Sequence, residues 1–121
     1  MSYLGASADL LKVARDNLRE RVMPGIDGEA RYEAAMIANA MAIAIRELEL
    51  GARARAQERE LLAGFLGMPD ATLTELRRRL CRELRAGRWA DENADGLRAL
   101  LARLVDARLA ISNPDYGKAG A

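Results

Sequence analysis

The chain has 121 residues, 19 basic against 18 acidic side chains, no histidine and one cysteine. That length accommodates one domain with a continuous core, and the near-neutral balance excludes a global attraction to nucleic acid or to an anionic membrane. A Cys/His zinc site and an intrachain disulfide are excluded as well, since Cys81 is the sole cysteine.

The N-terminal stretch Met1 to Asp9 has no basic region followed by an apolar core, so no secretory signal is expected, and a lone thiol suits a reducing cytoplasm. Ser7 is positioned to cap a first helix over about residues 8 to 22, with Leu10, Val13, Ala14 and Leu18 at helical spacing and Pro24-Gly25 as its stop. A second segment runs from Glu29 to Leu50 without Gly or Pro and reaches Gly51, the expected stop. Its middle, Ala34 to Ile45, is apolar on nearly every face but too short to cross a bilayer, so it is expected to form the central helix of a bundle.

A third helix over about 53 to 66 is expected to bury Leu61, Leu62, Phe65 and Leu66. Thr72-Leu-Thr-Glu75 then forms a capping-box pattern, in which a hydroxyl and a carboxylate satisfy free backbone donors, and opens a fourth helix to about Ala86. Leu73, Leu76, Leu80 and Leu84 make its buried stripe, and Trp89 is expected to seal the end of the bundle. Asp91 to Asp95 supplies acidic and capping residues for a last helix with Leu97, Leu100, Leu101, Leu104 and Ile111, stopped by Asn113-Pro114. The expected fold is all-α: a single domain over residues 1–121, one bundle of about five helices, with the helix over 29–50 at its centre.

Stepping 100° per residue places some polar side chains among apolar ones. Asn17 and Arg21 align with Leu10 and Ala14, Glu47 with Met36, Ala40 and Ile43, with Asn39 at the border of that stripe, and Arg108 falls between Leu97, Leu101, Leu104 and Ile111. A charge taken out of water must be paired. The set Asn17, Arg21, Asn39, Glu47 and Arg108 therefore predicts either an internal ion pair of Glu47 with Arg21 or Arg108, or a pocket whose arginines grip a carboxylate or phosphate.

The fourth helix segment and its end carry six arginines, Arg77, Arg78, Arg79, Arg82, Arg85 and Arg88, against Glu75 and Glu83, a local net of +4. Arg79 lies four residues from each acid, whereas Arg78, Arg82 and Arg85 form an outward stripe. That stripe is either a solvated face or a docking surface for an acidic protein or a nucleotide-bearing ligand. Without interleaved aromatics it does not point to nucleic acid. Cys81, beside the leucine stripe, is expected to be a small buried hydrophobe with no base to activate it. Asn113-Pro-Asp-Tyr116 reads as helix termination, and Glu29 and Glu33 read as acids favoured at a helix start.

Three stretches, LLKVARDNLRERVMP (10–24), RYEAAMIANAMAIAIREL (31–48) and LVDARLAISNPDY (104–116), together resemble a small bacterial all-helical domain family of unknown function. Its members are typically encoded beside an aminoglycoside-phosphotransferase-like protein and an acyl-CoA dehydrogenase. The resemblance implies an accessory role in acyl-CoA or hydroxy-acid catabolism through contact with the phosphotransferase-like protein. Its recognisable positions match Asn39, Arg46, Glu47, Leu48, Asn113 and Pro114, and it carries over no catalytic residue. The leading expectation is a non-enzymatic accessory or interaction protein, cytoplasmic, possible as a homodimer, with no cofactor, metal, membrane or nucleic-acid partner. The alternative is a module or enzyme for an acyl or phosphorylated small molecule, with its pocket between the first, second and last helices.

Overall fold

The computed structural model describes residues 3–90 and 94–116. They form four α-helices, α1 (Tyr3–Asn17), α2 (Gly28–Leu66), α3 (Leu73–Arg85) and α4 (Ala94–Ser112), and no strand among the described residues. The all-α expectation holds; the count of five does not. The helices expected over 29–50 and 53–66 are one helix of 39 residues. Gly51 does not interrupt it, because a glycine ends a helix by entering the left-handed region, and Gly51 instead lies buried in the helical path. That turn occurs at Gly67, with φ of +67°, where Met68 N–H reaches back 3.0 Å to the Ala63 carbonyl.

α1 begins upstream of Ser7, so Ser7 is an internal helical residue rather than a cap. Pro24 sets the way the segment after α1 ends. It has no N–H to return to the fourth residue before it, and the chain widens into a π-helical turn, Leu18–Val22, closed by Met23 N–H on the Leu18 carbonyl, then tightens into a 3-10 turn, Met23–Gly25. α3 starts where the capping pattern placed it: the Thr72 hydroxyl accepts from Glu75 N–H at 3.2 Å. It ends at Gly87, with φ of +74°, where Arg88 N–H bonds to the Glu83 carbonyl at 3.1 Å. Asp91, Glu92 and Asn93, expected to open the last helix, lie outside the described residues; Asp95 stands in its first turn.

The chain divides into two compact units, Met1–Gly51 with Ile111–Pro114, and Ala52–Ala110 with Asp115–Ala121. In the first, the buried residues of α1 and of the start of α2 are small. Ala8, Ala34 and Ala38 are 2%, 6% and 4% exposed, and Ile45 and Ile111 are the buried larger side chains of this unit. Arg15 Nε donates to the Ala38 carbonyl at 2.9 Å, and Lys12 Nζ to Glu49 Oε2 at 2.8 Å, which suits the antiparallel pairing that a short connection imposes. Glu49 holds the Lys12 ammonium above its ordinary range, chiefly through this hydrogen bond, with a smaller contribution from Asp9. Arg46 Nε donates to the Ile111 carbonyl at 2.6 Å, satisfying one of the acceptors left over at the end of α4.

The second unit holds the large-residue core. Leu62 and Leu76 are fully buried, and Ala63, Ala71, Leu80, Leu97 and Leu100 join them, with Phe65 and Trp89 packed at the margin. Among residues 29–50 the buried side chains are Ala34, Ala38 and Ile45, and the buried leucines gather further along the chain. Trp89 packs against this core, with its ring 5.4 Å from that of Phe65 and the Arg88 guanidinium 5.3 Å above it. Arg59 fastens the connection between α2 and α3, donating to the Ala71 carbonyl at 3.1 Å and to the Pro69 carbonyl.

Candidate functional site

The polar set read as inward is placed otherwise. Asn17, Arg21, Asn39 and Arg108 are exposed and Glu47 is half-buried; no polar or charged residue is buried among the described residues. Helical spacing does not identify the buried faces of these two helices. On α1 the buried line passes through Ala8, not through Leu10 and Val13, which are 71% and 58% exposed; on α2 it passes through Ala34 and Ala38, leaving Tyr32, Met36 and Ile37 outside. The buried positions at the start of these helices are alanines, and the larger side chains Leu10, Val13, Tyr32, Met36 and Ile37, like Asn17, Arg21 and Asn39, lie at the surface, while Glu47 is half-buried. Asn17, Arg21, Asn39 and Glu47 belong to the first unit and Arg108 to the second, and neither Glu47 nor Arg108 is without a partner.

The outward arginine stripe of α3 is a geometric feature of the second unit. The apolar face of this helix is occupied by Leu76 and Leu80, which turns the opposite face to solvent. Several arginines near it are committed within the molecule. Arg77 holds Glu58 with both Nε and an Nη at 2.7 and 2.6 Å, a bidentate pairing that raises the affinity of its guanidinium for its proton. Arg79 binds Glu83 at 2.9 Å, and Arg88 reaches the same carboxylate at 3.3 Å. Glu75, the other acid in reach of Arg79, is not its partner.

Arg78, Arg82 and Arg85 are exposed, and no acid pairs with them among the described residues. They line an open groove of about 620 Å³ together with Met68, Cys81 and Glu75. Cys81 is exposed in this groove, which corrects the buried position expected from its place beside the leucine stripe. At 300° from Arg78 the thiol falls on the arginine side of the helix. Met68, from the turn after α2, gives the groove an apolar floor that sequence spacing did not reveal, because it depends on the packing of that turn. Such a site offers three diffuse cations and a polarizable apolar surface, the chemistry for an anionic surface with some apolar contact. Among the described residues no group of three or more acids or cysteine is placed to hold a metal ion, and no helix is long and apolar enough to cross a membrane.

Residues 24–116 match a protein-family model described as a domain of unknown function, DUF6285. The chain belongs to that family. The match spans the turn after α1, all of α2 and α3, and α4 with its Asn113-Pro114 stop. A search of curated proteins and a search of solved structures each find no match.

Proposed function

We propose that this DUF6285 chain is a non-enzymatic accessory protein that docks an acidic protein surface on the arginine face of α3. It acts in the cytoplasm, as one functional domain over residues 1–121, within an acyl-CoA or hydroxy-acid catabolic system, and its partner is a phosphotransferase-like protein. The observation that carries the reading is the row Arg78, Arg82 and Arg85, exposed and without acidic partners among the described residues beside an open groove. Intramolecular pairing neutralises Arg77 and Arg79 but not these three, and a row of unpaired guanidiniums steers and orients an anionic partner. The resemblance of residues 10–24, 31–48 and 104–116 to a family encoded beside such proteins supplies the identity of the partner.

The test is co-expression of this chain with the phosphotransferase-like protein, followed by affinity capture at low and moderate salt. Capture should be strong at low salt, weaken as salt screens the contact, and disappear for the combined variant Arg78→Glu, Arg82→Glu and Arg85→Glu with helix content unchanged. Equal capture by that variant would remove the arginine face from the account. Absence of capture, combined with a melting temperature raised by an acyl-CoA or a hydroxy acid, would favour the small-molecule reading instead.

A further inference from the structure

The first unit exposes a surface opposite in character to the arginine face. Glu29, Tyr32, Glu33, Met36, Ile37 and Ala40 follow one another at helical spacing along the start of α2, and every one of them is exposed. Tyr32 is 67% exposed, and Met36 and Ile37 are each just over half exposed. Acids favour a helix start on their own. Large apolar side chains do not favour exposure, and here they alternate with the acids on the same face, whereas the buried residues at the start of α2 are Ala34 and Ala38.

The charge is divided in the same sense. Residues 1–51 with 111–114 carry six basic and eight acidic side chains, a net of −2, while the remainder carries thirteen basic and ten acidic, a net of +3. One surface thus presents carboxylates four residues apart flanked by Tyr32 and Met36. The other presents guanidiniums at Arg78, Arg82 and Arg85, also three and four residues apart, flanked by Met68 and Cys81. The two match in spacing and in their apolar accompaniment and are opposite in sign.

We infer that the start of α2 in one copy of this chain docks on the arginine face of α3 in a second copy. This rests on the reading of that face as a docking surface, and names a second copy of the chain as an occupant. Glu29 and Glu33 face Arg78, Arg82 and Arg85 across the contact, and Met36 and Tyr32 cover the apolar floor at Met68. Removing these apolar side chains from water adds to the contact what exposed ion pairs alone do not supply.

The test is sedimentation equilibrium of the whole chain over a range of protein and salt concentrations. Wild type should associate at low salt to at least twice its 13.2 kDa and dissociate as salt rises. Glu33→Arg and Arg78→Glu should each weaken association roughly ten-fold or more, and Arg82→Glu serves as a second reversal should Arg78→Glu lose helix content. An equimolar mixture of Glu33→Arg with Arg78→Glu, whose complementary faces include one contact between reversed charges, should associate more strongly than either variant alone. A wild type that stays at 13.2 kDa at every salt concentration, or charge reversals that leave its association unchanged, would overturn the inference. Arginine-dependent capture of the phosphotransferase-like protein by a chain that remains monomeric would overturn the inference while leaving the docking reading of α3 intact.

Discussion

The two units solve the packing of helices in opposite ways. In the second, leucines go in: Leu62 and Leu76 are fully buried and the arginines of α3 stay out. In the first, Ala8, Ala34 and Ala38 go in together with Ile45 and Ile111, while the larger side chains Leu10, Val13, Tyr32 and Met36 stay out. Since apolar burial stabilises by about 25 cal/mol per Å², the second unit draws more from its own core, and the first is also tied by hydrogen bonds such as Arg15 to the Ala38 carbonyl. The difference also separates surfaces by chemistry, acidic and apolar on α2 and basic on α3. It shows that the fullest hydrophobic stripe of a helix is not automatically its buried one.

The sharpest way to break the comparison is to truncate the leucine core. Leu76→Ala leaves a cavity where no solvent reaches, and is expected to cost about 2–5 kcal/mol of stability in chemical denaturation. A loss below that range would mean that the second unit is not the stability centre. The first unit responds to the reverse change. Ala38→Leu puts bulk into the narrow inner face beside the Arg15 hydrogen bond and is expected to cost about 1–3 kcal/mol in the same assay. If the substitution stabilised the protein, the inner face would have spare volume and the small-residue account of α1 against α2 would fail. The Lys12 contact to Glu49 lies at the surface. Because the pKa of Lys12 is raised in the folded state, its contribution is present throughout neutral pH and fades only as strongly alkaline pH passes the raised value.

Much of the fold was legible because local chemistry decided it. The Thr72 cap, the termination at Asn113-Pro114 and the burial of Leu76 and Leu80 on α3 depend on residues within a turn or two of one another, although Leu84, expected in the same buried stripe, is exposed. The break expected at Gly51 was not decided locally: nothing in one glycine distinguishes a stop from a place where a helix continues without a side chain, and only the left-handed turn at Gly67 identifies the true end. The faces of α1 and α2 were likewise beyond helical spacing, which orders side chains around an axis but does not say which side meets a neighbour. Spacing alone therefore places Asn17, Arg21 and Asn39 inward, whereas all three are exposed. For α3 the same spacing succeeded in placing Arg78, Arg82 and Arg85, since Leu76 and Leu80 left one face for the core. Met68 and the exposed Cys81 escaped notice because the groove they line is made by the turn after α2 as well as by α3.

Native-state hydrogen exchange, resolved along the chain at a dilution where self-association is absent, tests the division between the units most directly. Amides of residues 60–66 and 76–84 should exchange only through global unfolding, while those of residues 30–40 should open at measurably lower free energy. Equal protection of the two stretches would contradict the account, because it would place the alanine-packed start of α2 in the same cooperative core as Leu62 and Leu76.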